Sequence, residues 1–175
     1  MDLLCLNLGC GSADEAMPGF VNLDRDPRCG DGSGWMFESG LPGFESGSVD
    51  GITISHVLMY VRVRDWMPFL AEAHRVLRPG GVIRVTEDVT DNSESRHWTG
   101  HSPRYRSWDS RVTPTSGILV VVALRLAGFT AREVSENETD FIDGRLCQSR
   151  HNDIRPGDYL GECQGPHVFF AEGVK

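Results

Sequence analysis

Short apolar runs alternate along this chain with segments of helical periodicity, and this alternation constrains the fold more than any other feature. Helical spacing of apolar residues predicts helices over 65–77 and 113–126. A helix between two strands is the usual crossover between parallel neighbours, so the sequence predicts an α/β fold with a mostly parallel sheet. The runs with the length of strands are 3–8, 20–23, 51–55, 82–86, 131–134 and 167–171, with a weaker run at 35–37.

The length of 175 residues fits one domain with a core of its own, and we expect a single domain over 1–175. Two aperiodic segments, 88–113 and 137–166, are predicted to be loops on the substrate side of the sheet. No stretch has the length of a membrane span, and the first residues lack a secretory pattern. We therefore expect a cytoplasmic protein without a membrane partner.

The segment LNLGCGSADEAMPGFVNLDRD, Leu6 to Asp26, joins the first two predicted strands through a Gly-Cys-Gly turn. In parallel sheets, ligands bind beyond the carboxyl ends of the strands, where this turn lies. A dinucleotide-binding turn needs a third glycine near the pyrophosphate, and Asp14 stands in that position. S-adenosylmethionine carries no phosphate and presents a ribose diol, which Asp24 is placed to bind. These residues favour S-adenosylmethionine as the cofactor.

The net charge of −8 argues against a nucleic-acid partner, because such a partner requires a basic surface. Arg96, Arg104, Arg106 and Arg111 lie close together in the sequence, so a local anion site stays open. A metal site is not predicted. His97 and His101 have helical metal-ligand spacing, but they fall in a loop and no third ligand is apparent.

Four motifs in this order resemble those of class I S-adenosylmethionine-dependent methyltransferases with a small type-11 methyltransferase domain. They are LNLGCG, VNLD, LPGFESGSVDGITISHVLMY and EAHRVLRPGG, and they lie within residues 3–88. The resemblance implies a Rossmann-like, mostly parallel seven-stranded sheet with an antiparallel last strand and helices on both faces. The short spacing between the first two strands implies a truncated first helix.

The resemblance also implies roles for individual residues around S-adenosylmethionine. Asp24 would bind the ribose, and Ser55 and His56 would lie beside the sulfonium. Asn7 stands where the family usually has an acid near the amino group of the ligand, which implies a looser or water-mediated contact. The full set of implied cofactor-binding residues is Asn7, Gly9, Cys10, Gly11, Asp24, Arg25, Met36, Phe37, Ser55 and His56.

A hydroxyl or amine acceptor needs a base, and His56 and Asp88 are the candidates because each follows the end of a predicted strand. A structural role for His56 is the alternative. Aromatic and basic residues of the two long loops, with Trp98, Arg104 and His151 as candidates, are expected to contact substrate, although they could simply fasten the loops.

The expected function is therefore methyl transfer to an O or N atom of a small-molecule acceptor, with a saccharide as one candidate. The sequence lacks two motifs of nucleic-acid methyltransferases: the Asp/Asn-Pro-Pro-aromatic motif of base-amine enzymes and the Pro-Cys nucleophile of cytosine-C5 enzymes. A protein methyltransferase and a non-catalytic S-adenosylmethionine-binding module are the alternatives.

Overall fold

The computed structural model describes residues 2–11, 16–88, 113, 115–142, 144–147 and 168–175; of residues 88, 147 and 168 it describes only the backbone. Within these ranges six strands form one sheet, in the spatial order β2-β1-β3-β4-β6-β5. The strands are β1 (Cys5–Leu8), β2 (Val21–Leu23), β3 (Val49–Ser55), β4 (Leu77–Asp88), β5 (Thr130–Val134) and β6 (Val168–Val174).

The strand directions confirm the predicted Rossmann-like sheet with an antiparallel last strand. β1 is parallel to β2 and β3, and β3 is parallel to β4. β6 lies between β4 and β5 and is antiparallel to both. The resemblance predicts seven strands, and the described ranges contain six. The predicted short first helix falls on residues 12–15, which lie outside them.

The weak run at 35–37 does not form the predicted edge strand. Instead, Phe37–Ser39 forms a turn of 3-10 helix, and Gly34 and Gly40 on either side have positive φ angles of 65° and 64°. The Trp35 indole Nε1 donates to the Gly40 carbonyl over 2.7 Å, and the rings of Trp35 and Phe37 both pack against Phe69. The run is apolar because it belongs to the core, and its glycines turn the chain away from extended geometry.

Two α-helices, α1 (Val63–Val76) and α2 (Gly117–Leu126), pack against each other on one face of the sheet. α1 buries a stripe at helical spacing, formed by Trp66, Phe69, Leu70, Ala73 and Val76. α2 begins later than predicted, at Gly117, and Ser116 caps it by accepting from the Leu119 N–H. Its apolar sequence predicts burial all round, but α2 leaves one side exposed, at Ile118, Leu119, Val122 and Leu126.

The other face of the sheet carries no α-helix in the described ranges. The start of the second long loop covers it instead: Phe141 and Leu146 pack with Cys5 and Val82. A Cβ placed on Gly51 would lie 2.9 Å from the Phe141 ring, so glycine makes room for this contact. These loop residues thus cover the amino-terminal half of the strands, whereas the predicted substrate side is at the carboxyl ends.

A row of polar residues crosses this second face at one register level. The row is Asn22, Asn7, Thr53, Arg84, Glu172 and Arg132, one residue from each strand. At its centre, the buried Arg84 pairs with the buried Glu172, Nη1 to Oε1, over 2.9 Å. The Arg84 guanidinium also donates to the carbonyls of Glu136 and Glu138, over 2.6 and 2.8 Å. The pair therefore holds the β5–β6 connection against the sheet.

No helix in the described part of the chain combines the length and the apolar character needed to cross a bilayer.

Candidate functional site

The Gly-Cys-Gly turn follows β1 at the carboxyl edge of the sheet. Gly9 and Gly11 have φ angles of 72° and 74°, a conformation that side chains with a Cβ rarely adopt. All three N–H groups of the turn bond to the end of β2: Gly9 and Cys10 donate to the Leu23 carbonyl, and Gly11 donates to Asp24. The N–H groups of the turn are thus bonded within the chain. A pyrophosphate site needs such N–H groups to donate hydrogen bonds to the ligand.

The Asp24 carboxylate lies directly after β2, beside this turn. Oδ2 accepts from the Gly11 N–H over 2.7 Å, and Oδ1 accepts from the Asp26 N–H over 2.9 Å. A carboxylate has about four acceptor positions, so two remain for a diol. Asp26 is engaged differently, because the Arg28 side chain binds it and lowers the pKa of its carboxyl to about 2. Asp24 is therefore the carboxylate better placed for a ribose.

The side chains of Asn7 and Cys10 point into the protein. Asn7 is buried, and its Nδ2 donates to the Asn22 Oδ1 over 2.8 Å. The Asn22 side chain in turn bonds to both backbone groups of Met17 and so shapes the turn before β2. Cys10 is buried, with its Sγ against Gly30. Cys10 therefore offers only backbone to a ligand.

The loop after β3 lies next to the glycine turn. His56, half-buried, has a φ angle of 55°, the single positive value among the described non-glycine residues. A Cβ placed on Gly9 would collide with Val57 Cγ2, so the Val57 side chain rests on the glycine. The ends of β1 and β3 thus form one continuous surface.

The buried side chains of Ser55 and Thr86 lie opposite each other at the ends of β3 and β4. Neither hydroxyl has a hydrogen-bond partner within the described ranges. Buried hydroxyls are normally hydrogen-bonded, so this edge of the sheet can offer two groups to a ligand or to water.

The predicted cofactor-binding residues Arg25, Met36 and Phe37 differ in their exposure to solvent. The Phe37 ring is buried with its centroid 3.9 Å from that of Phe69, so it belongs to the core. Met36 is 47% exposed and Arg25 is exposed, so these two residues stay available to a ligand. Of the two adjacent residues Met36 and Phe37, only Met36 is exposed, and both assignments to the cofactor stay predictions.

The comparisons with known proteins agree with this geometry. Residues 29–85, about a third of the chain, match the model of a methyltransferase domain family. A search of curated protein sequences found no significant match.

Three solved structures that resemble the protein cover nearly all of its chain. An S-adenosylmethionine-dependent methyltransferase from Archaeoglobus fulgidus aligns with a TM-score of 0.66 and 13% identity, over 99% of this chain and 86% of that one. A possible histamine N-methyltransferase from Thermotoga maritima aligns with a TM-score of 0.61 and 16% identity, over 98% and 82%. A methyltransferase from Mesorhizobium loti aligns with a TM-score of 0.56 and 18% identity, over 99% and 91%.

The chain has the fold of S-adenosylmethionine-dependent methyltransferases, and its residues 29–85 match a methyltransferase domain. The glycine turn fits the cofactor of these proteins, S-adenosylmethionine. The positive φ angles place the turn beside the Asp24 carboxylate, and the missing Cβ of Gly9 makes room for Val57, while the inward-pointing N–H groups disfavour a phosphate. Within the described ranges, no group of three or more His, Cys, Asp or Glu side chains is arranged to hold a metal.

Several predicted site residues lie beyond what the structure describes. Trp98, Arg104 and His151 fall outside the described residues, as does the Asp88 side chain, although the Asp88 backbone ends β4. Sequence reasoning missed Thr86 and Glu87. Both are buried at the end of β4, and their position immediately before Asp88 was the available signal.

Proposed function

We propose that this methyltransferase domain transfers a methyl group to an O or N atom of a small-molecule acceptor, with a saccharide as one candidate. The cofactor would lie along the glycine turn, with its ribose at Asp24 and its adenine near Arg25 and Met36. Its sulfonium end would face Ser55 and His56. The segments 88–113 and 137–166, with Trp98, Arg104 and His151, would supply contacts to the acceptor.

One observation carries this proposal: the turn after β1, the carboxylate after β2 and the loop after β3 meet at a single edge of the sheet. Gly11 donates to Asp24, and Val57 contacts Gly9, so these three parts of the chain touch. Ligands of such sheets bind at this edge. The contacts support one continuous cofactor site.

When bound, S-adenosylmethionine supplies a methyl group on a sulfonium, which is ready for displacement by a nucleophile. The contribution of the chain is to hold the acceptor in line and to exclude water. His56 at the end of β3, or Asp88 at the end of β4, would take the proton that an O or N acceptor loses.

Two features support a small, polar acceptor. The net charge of −8 disfavours the nucleic-acid backbone, although one similar fold belongs to an enzyme that methylates adenine 1408 of 16S rRNA. The hydroxyls of Ser55 and Thr86 lie buried at the ends of β3 and β4 and could bind a polar group. Another protein of similar fold was solved in complex with a Trm112 methyltransferase activator. A partner protein can therefore be included in the test below.

The test is cofactor turnover with panels of sugars, amines, carboxylic acids and peptides, measured as S-adenosylhomocysteine formed. Turnover with a small molecule supports the proposal, and turnover with peptides alone would identify a protein methyltransferase. Binding of S-adenosylmethionine without turnover in any panel would indicate a non-catalytic module. With an active acceptor, His56→Asn or Asp88→Asn should lower kcat by about 10²- to 10⁴-fold, whichever residue is the base. His74→Gln, on α1, is the matched histidine control.

A further inference from the structure

The loop after β3 begins with a strained residue. His56 has a positive φ angle, which is uncommon for any residue with a Cβ and costs backbone stability. Such a conformation persists only where the surroundings determine it. The question is which groups hold it.

The end of β4 holds three consecutive N–H groups of this loop. The His56 N–H donates to the Thr86 carbonyl over 2.8 Å. The next two, those of Val57 and Leu58, both donate to Oε1 of the Glu87 side chain, over 2.8 and 2.6 Å. Glu87 is fully buried, so water does not compete for these hydrogen bonds.

These bonds fix the place of Val57 as well as the turn at His56. Val57 is the residue whose Cγ2 occupies the space that a Cβ on Gly9 would need. A continuous series of contacts therefore runs from the Glu87 carboxylate through the loop to the glycine turn. At the far end of the loop, Thr113 donates to the Val61 carbonyl over 2.6 Å, so that end is held independently of Glu87.

We propose that Glu87 is a positioning residue for cofactor binding: its buried carboxylate holds the His56–Leu58 loop against Gly9 and so shapes the sulfonium side of the site. The inference rests on the proposed cofactor site. Glu87 acts through backbone groups and touches neither cofactor nor acceptor. Loss of its hydrogen bonds should therefore weaken cofactor binding even where the protein remains folded.

The test compares Glu87→Gln, Glu87→Asp and Glu87→Ala by calorimetric titration with S-adenosylhomocysteine, well below the melting temperature of each variant. Gln keeps an acceptor oxygen at the same distance from the backbone, so its Kd should stay within about threefold of the wild type. In Glu87→Asp the side chain is one methylene shorter, and in Glu87→Ala the acceptor oxygen is absent. Each of these two variants should therefore raise the Kd by about tenfold or more. The control Leu124→Ala removes core packing from α2 and should lower the melting temperature while leaving the Kd within about twofold.

Equal binding by the wild type and all the Glu87 variants would overturn this inference while leaving the cofactor site intact. A Kd that rises in Leu124→Ala as much as in Glu87→Asp would also overturn it, because the effect would then follow general stability. Failure of the wild type to bind S-adenosylhomocysteine would overturn the cofactor site and this inference together. If Glu87→Ala does not fold, the contrast between Glu87→Asp and Glu87→Gln decides.

Discussion

At the scale of single residues, the proposed cofactor site depends on backbone shape more than on side-chain chemistry. Gly9 and Gly11 contribute positive φ angles and the absence of a Cβ, and Cys10 between them is buried. Asp24 is the exception, because its carboxylate both fastens the turn and remains open to a ligand.

Asp24→Ala should therefore weaken S-adenosylhomocysteine binding and also loosen the glycine turn. Loss of hydrogen bonds to a charged group amounts to about 1.5–3 kcal/mol, or roughly a 10- to 100-fold rise in Kd. Calorimetric titration measures this change. Asp26→Ala is the matched control, because Asp26 is bound by Arg28, and its Kd should stay near that of the wild type. A larger rise in Kd for Asp26→Ala than for Asp24→Ala would assign the ribose to Asp26.

His74 should make the stability of the fold depend on pH. It lies on α1 with its ring edge-on to Phe129, and burial lowers its pKa, aided by the charge of Lys175 and opposed by a hydrogen bond with the Gly128 backbone. The folded-state pKa thus lies below the ordinary value of 6.5, so protonation favours the unfolded chain. The contribution of neutral His74 to the unfolding free energy is complete above pH 6.5. It is lost as the pH falls from that value through the lowered pKa of the folded state.

Urea unfolding at pH 7.5 and at pH 5.5 measures this effect. The fall in unfolding free energy between the two pH values should be smaller in His74→Gln than in the wild type, because glutamine does not titrate. An equal fall in both proteins would show that other groups cause the pH dependence.

At the scale of elements, a buried ion pair holds the β5–β6 connection, together with the apolar contacts of Phe141 and Leu146. The Arg84 guanidinium donates to three carbonyl groups of residues 135–138, and Glu172 accepts from the Asp140 N–H over 2.7 Å. Removing one member of such a pair leaves an uncompensated buried charge.

Arg84→Met and Glu172→Leu should each lower the unfolding free energy by about 3–5 kcal/mol. The double variant should lose less than the sum of the two single losses, with a coupling of about 0.5–3 kcal/mol, because no isolated charge remains. Urea unfolding of the four proteins gives this cycle. Strictly additive losses would mean that the two side chains act independently.

The sequence predicted the regular elements well, because they carry period-2 or period-3.6 patterns. The strand at 51–55 and the helix at 65–77 are each found within two residues of their predicted starts. The prediction of a strand at 35–37 was wrong, because an apolar triplet of this kind occurs both in edge strands and in packed turns. The exposed side of α2 could not be foreseen, because an all-apolar helix has no pattern that marks its outer side.

The site was predictable only in part. The glycine turn and the acid after β2 are local patterns, so they are readable in the chain. The contact of Val57 with Gly9 and the bonds from Glu87 to the β3 loop join residues 29 to 48 positions apart, and only the sheet order brings them together. The substrate loops and their residues remain predictions.

At the scale of the whole molecule, ligand binding should stabilise the entire fold by mass action. S-adenosylhomocysteine at about 100 times its Kd should add about 2.7 kcal/mol to the unfolding free energy. For a chain of this size, that raises the melting temperature by roughly 5–10 °C. NAD at the same concentration should leave it unchanged, because the N–H groups of the glycine turn face β2. Differential scanning fluorimetry with both ligands measures this, and a shift with NAD alone would contradict the cofactor assignment.

The position of β6 also affects how the protein is made. It follows all the other described strands in the chain, yet it lies between β4 and β5. On the ribosome, the strands β1 to β4, which carry the glycine turn, Asp24 and Glu87, can pair before residues 168–174 are synthesised. Throughout that interval β5 lacks its described neighbour, and the Arg84 guanidinium lacks its carboxylate partner Glu172. The half of the sheet that carries the proposed cofactor site can thus form early during translation, whereas the other half is completed only when the last described strand emerges.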